Sequence, residues 1–226
     1  MPNISKIYIW ENQIWPTSWP TPPTPGVLPA EYQEVEYVHS DAYYTPYINT
    51  TYICNSNTVI NTEVLWDSSQ STSNWAIFFW ACSSDNSPDG VQLRLYDSNT
   101  GRINAWFCNS SYSECSPNAT ANTWHTIELK SWELVLDWVS NTITTTWTPW
   151  QDSIALFAWH DGSRWVWRPA KCSIKEFKAT ENWTVVLDLI PCYRKADNEV
   201  WFYDLISEEF LYNMWGWALT AGPDVN

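Results

Sequence analysis

The chain has 226 residues, with 11 lysines and arginines against 25 aspartates and glutamates, a formal charge of −14 and a pI near 4.4. Nucleic-acid backbones and anionic membrane surfaces are bound through a cationic face, so this balance excludes both as partners. No apolar run approaches the roughly 18 residues a membrane span requires, and the opening Met1-Pro2-Asn3-Ile4-Ser5-Lys6 lacks the basic-then-apolar layout of a secretion signal.

Taken in chain order, residues 1–15 read as a short strand element carried by Ile4-Ser5-Lys6-Ile7-Tyr8-Ile9. Residues 16–27 are a Pro/Thr-rich linker, whose composition dictates an extended, semi-rigid chain. From residue 28 to 226 the sequence is a series of short alternating or β-branched runs. These cover 34–38, 58–65, 75–82, 91–96 and 102–108, with Asp97-Ser98-Asn99-Thr100-Gly101 as a hairpin loop between the last two. Further runs cover 124–130, 133–137, 141–146, 153–159, 171–179, 184–190 and 199–205. A turn is expected around Ser207-Glu208-Glu209, and nothing sustains a 3.6-residue apolar period. Short strands at this spacing predict an all-β, antiparallel two-sheet sandwich.

Nineteen tryptophans stand beside six glycines, where average usage of about 7% would give roughly 16 glycines. Asp137-Trp138, Asn182-Trp183, Ser131-Trp132, Trp66-Asp67 and Trp215-Gly216-Trp217 fall between strand runs. Tight reversals ask for glycine after Asp, Asn or Ser, because only it adopts positive φ without steric cost. Most of these tryptophans therefore read as UGA codons decoded as glycine in the source. The rival reading is a genuine aromatic surface that stacks on sugars.

Six cysteines show no C-x-x-C pair, which gives a zinc or redox site little support. Cys108 and Cys115, flanking Asn109-Ser110-Ser111-Tyr112-Ser113-Glu114, are the pair placed to staple a loop. Two loops are candidate ligand sites. Ser83 to Gly90 carries Asp85, Asn86 and Asp89, oxygen donors suited to a hard cation such as calcium or to sugar hydroxyls. His160, Asp161 and Arg164 offer a donor–acceptor mix that fits carbohydrate edges. The histidines have no partner at metal or triad spacing, and no Gly-x-Ser-x-Gly elbow occurs.

Two terminal signatures resemble a known family. Leu28-Pro29-Ala30-Glu31-Tyr32-Gln33-Glu34-Val35-Glu36-Tyr37-Val38, followed by Tyr47-Ile48-Asn49-Thr50, is similar to the opening of concanavalin A-like (laminin G-like) jelly-roll domains. Residues 190–205, ending Val200-Trp201-Phe202-Tyr203-Asp204-Leu205, and the terminal Thr220-Ala221-Gly222-Pro223 resemble its close. Trp124-His125-Thr126-Ile127-Glu128 resembles its central strand. The family pattern has glycine where this chain has Trp80 and Trp201, while Trp124 matches a tryptophan of the pattern.

The resemblance implies a concanavalin A-like jelly roll without catalytic activity. It would bind a glycan, a cell-surface receptor or other tail, virion or surface proteins, with calcium as an optional ion. A phage tail or virion-associated protein is the expected setting, and a bacterial surface adhesin the alternative. The same fold carries glycoside hydrolases. Their Glu-x-Asp-x-x-Glu arrangement is absent here, and Glu31, Glu34 and Glu36 come nearest to it.

Overall fold

The computed structural model of the protein describes residues 26–41, 46–70, 76–81, 90–108, 113–145, 152–160, 166–214 and 219–226. The N-terminal strand element and nearly all of the linker expected over 1–27 lie outside them. No helix occurs among the described residues, so none is long and apolar enough to cross a membrane.

Nineteen strands are described. In order they are β1 (Tyr32–Glu34), β2 (Val38–Asp41), β3 (Ile48–Ile53), β4 (Thr58–Trp66), β5 (Ala76–Ala81), β6 (Val91–Asp97) and β7 (Arg102–Phe107). β8 (Ser113–Glu114), β9 (His125–Lys130), β10 (Glu133–Leu136), β11 (Val139–Thr142), β12 (Ser153–Leu156), β13 (Trp159–His160) and β14 (Val166–Trp167) follow. The last are β15 (Lys171–Glu181), β16 (Thr184–Arg194), β17 (Val200–Asp204), β18 (Glu209–Leu211) and β19 (Thr220–Ala221).

They form an antiparallel sandwich. The larger sheet runs β11-β10-β9-β4-β15-β16-β17-β18, with β1 on β16 and the terminal pair β2–β19 beside β15. The smaller runs β3-β12-β5-β6-β7-β8. β4 and β9 alternate buried and half-buried residues along their whole length, so Ile60, Val64, Ile127 and Leu129 face inward. From the other side Phe79, Leu93, Ile103 and Leu156 close the core. Phe79 meets Phe177 edge-on across the sandwich, with centroids 5.4 Å apart. Each such side chain contributes about 1.5–3 kcal/mol through burial.

The single strand expected over 34–38 is two. Val35 and Val38 are both buried, and a spacing of three does not fit one straight strand of period two. The chain therefore leaves β16 after Glu34, bridges Val35 to Asp224, and only then joins β15 through β2.

Tryptophan occupies two kinds of place. Asp137 and Trp138 (φ 47° and 70°) sit between the paired Leu136 and Val139, and Asn182 and Trp183 (φ 48° and 70°) between Glu181 and Thr184. Both are two-residue reversals with consecutive left-handed residues, the type I′ pattern. Their rings stand in solvent, 88% and 101% exposed. The other expected reversals differ. Ser131-Trp132 turns without a positive φ, and Trp66 is the last ladder residue of β4, buried opposite Cys172. Trp201 is buried in mid-β17 among Tyr32, Phe210 and Tyr212. The indole N–H groups of Trp66 and Trp201 are buried without an acceptor, against the rule that buried indoles find one. Trp215-Gly216-Trp217 lies outside the described residues.

The expected Cys108–Cys115 staple is overturned. Both side chains are buried, and no disulfide joins them. The β7–β8 register places Asn104 opposite Glu114, and the Cys115 N–H donates to the Ile103 carbonyl at 3.0 Å. Cys108 is thus five residues further along the ladder, roughly 16 Å at about 3.3 Å per residue, far beyond the ~7 Å Cα limit of a disulfide. Burial pushes the Cys115 thiol up to about 12.

Two buried side chains secure reversals. The Nδ1–H of His125 donates to Asp137 Oδ2 at 2.5 Å, while Asp137 Oδ1 accepts the Thr126 N–H at 2.9 Å. Asp204, within the closing signature, accepts from Asp188 N–H, Ile206 N–H, Ser207 N–H and the Ser207 hydroxyl. That explains an aspartate at this position: it caps the β17–β18 turn and ties it to β16.

Candidate functional site

The face of the smaller sheet turned away from the core carries an unexpected set of side chains. In β6, Val91, Leu93 and Leu95 join the core, so alternation sends Gln92 and Arg94 to the opposite face. An alternating strand of this kind reads as half-solvated, yet Gln92 and Arg94 are only 2% and 1% exposed. Asn104 and Trp106 in β7 and Trp80 in β5 are equally buried. Strand pairing arranges these residues in rows. One row runs Asn49, Ala155, Trp80, Gln92 and Trp106 across β3, β12, β5, β6 and β7. The next runs Ile77, Arg94, Asn104 and Glu114.

The chemistry of these rows is aromatic and amide. The side-chain oxygens of Gln92 and Asn104 are buried and accept no hydrogen bond; each such group costs about 1–3 kcal/mol while it goes unpaired. Toward the β8 edge, Arg94 and Arg102 lie 5.3 and 5.0 Å from the Tyr96 ring centroid, and Arg102 pairs with Glu114 at 2.8 Å. A retaining glycosidase needs two carboxyl groups about 5–5.5 Å apart. These rows hold a single carboxylate, Glu114, already engaged by Arg102. The unpaired amide oxygens are acceptors for hydroxyl donors.

The residues singled out in the sequence are only partly placed. Asp85, Asn86 and Asp89 belong to the connection between β5 and β6, and they lie outside the described residues, as do Asp161 and Arg164. His160 lies in β13, where its backbone pairs with Val166. Among the described residues no group of three His, Cys, Asp or Glu is placed to hold a metal. The sequence reading missed Gln92, Asn104 and Trp106. The one signal was the polar alternation within 91–96 and 102–108, which does not say whether the second face of a strand meets water.

The outer face of the larger sheet differs. Its half-exposed positions are largely paired ions: Lys130 with Glu128 (2.6 Å) and Glu133 (3.0 Å), Lys175 with Glu63 (2.7 Å), and Lys178 with Asp188 (3.3 Å). Over this face a groove of about 380 Å³ spans β9, β4 and β15. A second hollow of about 300 Å³ adjoins it, sharing Asn61 and Glu128 and rimmed by Trp138.

No family model matches the sequence, and no curated protein sequence matches it either. Similar solved structures include the mouse laminin α1 chain, domains LG4-5 (11% identity, TM-score 0.52, 85% of this chain and 47% of that one). A putative carbohydrate binding protein from Bacteroides ovatus is also similar (10% identity, TM-score 0.53, 86% and 62%). The chain thus spans about half to three fifths of these structures' lengths. At such identities the likeness shows the fold alone: the class is the concanavalin A-like jelly-roll sandwich, as the terminal signatures implied.

Proposed function

We propose that the chain is a non-catalytic recognition module whose smaller sheet binds a glycan through the face opposite the core. The observation that carries this is the pair of buried, partnerless side-chain oxygens on Gln92 and Asn104, in adjacent cross-strand rows of β6 and β7. The hydroxyls of a sugar that reached this face would satisfy those acceptors. Asp85, Asn86 and Asp89, on the connection that joins two strands of this sheet, would add the loop-borne contacts, with calcium as an optional ion. His160, Asp161 and Arg164 would contribute from the β13–β14 connection. The bacterial protein of similar fold described as carbohydrate binding supports this reading by analogy. The setting we infer, a phage tail or virion-associated protein or else a bacterial surface adhesin, rests on the terminal signatures. A glycan array tests the module directly. Saturable binding without bond cleavage, lost in Gln92→Ala and Asn104→Ala, is expected. Reducing-end release from a polysaccharide would overturn it.

We also propose that positions 138 and 183 are glycine in the native chain. Consecutive left-handed residues with a fully solvated ring at the second gain nothing from the indole, and glycine is the residue such reversals favour. The buried, acceptor-less indoles of Trp66 and Trp201 extend the same reading into strands. Intact mass of protein from its native source decides this, and a mass carrying nineteen tryptophans ends it.

A further inference from the structure

We infer that the groove on the outer face of the larger sheet is a second binding site, for a neutral, hydroxyl-rich glycan chain. The inference presumes a carbohydrate-binding module, but it does not use the face invoked above. Its floor is built from two cross-strand rows. Thr180 faces Val59 across β15 and β4, and in the next row Asn61 faces Glu128 across β4 and β9. Asn57 and Asn182 close one end, and Trp132 and Trp183 form the rim. Amides, a hydroxyl and a carboxylate thus line the groove beside Val59.

Charge selects the occupant. The cation on the floor, Lys130, is held by Glu128 at 2.6 Å and Glu133 at 3.0 Å, which leaves little attraction for an anion. The chain's net charge of −14 repels polyanions further. A cationic partner would have to break the Lys130 pairs to reach the carboxylates. An uncharged polyol needs neither, because Asn57, Asn61, Thr180 and Asn182 offer both donors and acceptors. The floor is formed without tryptophan, and glycine at position 183 would remove one wall of the rim but none of the floor.

Titration calorimetry with cellohexaose, xylohexaose, mannohexaose and maltohexaose tests the inference, alongside hydrogen exchange of β4 and β9. At least one hexasaccharide should bind and slow exchange there. Asn61→Ala and Thr180→Ala should each weaken binding about fivefold, the equivalent of one hydrogen bond near 1 kcal/mol. Glu128→Gln, which retains the shape of the floor, should weaken it less, and Trp183→Gly by under about threefold. Unchanged thermal unfolding of each variant excludes misfolding. Three outcomes overturn the second site: no binding by any hexasaccharide, affinity indifferent to Asn61 and Thr180, or protection that follows protein concentration and so reports self-association. Binding abolished only by Gln92→Ala or Asn104→Ala overturns it too, yet leaves the recognition reading intact. Binding lost with Asn61 but indifferent to Gln92 and Asn104 supports the second site and overturns the placement of the first on the smaller sheet.

Discussion

The two sheets of this sandwich handle their outer faces in opposite ways. On the larger sheet, β4 and β9 alternate strictly between core and solvent, and charged pairs pave the outside. On the smaller sheet, β5 and most of β6 and β7 are buried on both faces, with Gln92, Arg94 and Asn104 beneath the surface. The same alternating pattern therefore has two meanings. In one sheet polar residues are solvated and nearly neutral energetically; in the other they are desolvated and carry a cost.

Substitutions can break or sharpen this contrast. The largest effect should come from the core both sheets share. Phe177→Ala, which removes the edge-on contact with Phe79, should cost about 3–5 kcal/mol in urea denaturation. Val59→Ala on the solvent face should stay within about 0.5–1 kcal/mol, and equal losses would erase the distinction. Next, Gln92→Leu removes a buried acceptor that has no partner. Stability should hold or rise by about 1–3 kcal/mol while glycan binding is lost. A loss of stability would mean that Gln92 is a satisfied structural residue.

Relief of the left-handed turns should have a smaller effect. Trp138→Gly and Trp183→Gly should each stabilise recombinant protein by about 1 kcal/mol, since a side chain costs roughly 1–2 kcal/mol in that region. Trp132→Gly, at a reversal without positive φ, should give no such gain. The smallest effect concerns acid. The Ser69 N–H, received at 2.7 Å, holds the Asp67 carboxyl below the usual carboxylate range. Its folded value lies below the unfolded one, so its contribution is complete above about pH 4 and is lost as pH falls through the folded value. Asp67→Asn should flatten this acid limb by a few tenths of a kcal/mol, given its solvent exposure.

Much of the ladder was legible in residue order. The runs over 58–65, 91–96, 102–108, 171–179 and 184–190 correspond to β4, β6, β7, β15 and β16, the last two longer than expected. The misreadings have local causes. The run over 153–159 stops as β12 at Leu156 because Phe157 adopts φ 72°. β11 starts at Val139, two residues early, because the Asp137-Trp138 turn returns the chain at once. Cys108 and Cys115 looked adjacent in sequence, and only the hairpin register separates them. Of the candidate site, Asp85, Asn86 and Asp89 were visible as a polar loop. Gln92 and Asn104 were not, since residue types along a strand do not say whether its second face meets water.

Composition and period by themselves determined an acidic all-β chain, many of its strands and the two left-handed reversals at Asp137-Trp138 and Asn182-Trp183, because those properties are set by neighbours within a few residues. The pairing of distant strands decided the rest. It laid Trp80, Gln92 and Trp106 in one row, buried that row, and gathered Asn61, Glu128 and Thr180 beneath one groove. Burial and juxtaposition across sheets depend on register between segments far apart in the chain, 123 residues for Thr58 and Glu181 of β4 and β15 and 181 for His39 and Thr220 of β2 and β19, and no local pattern encodes that.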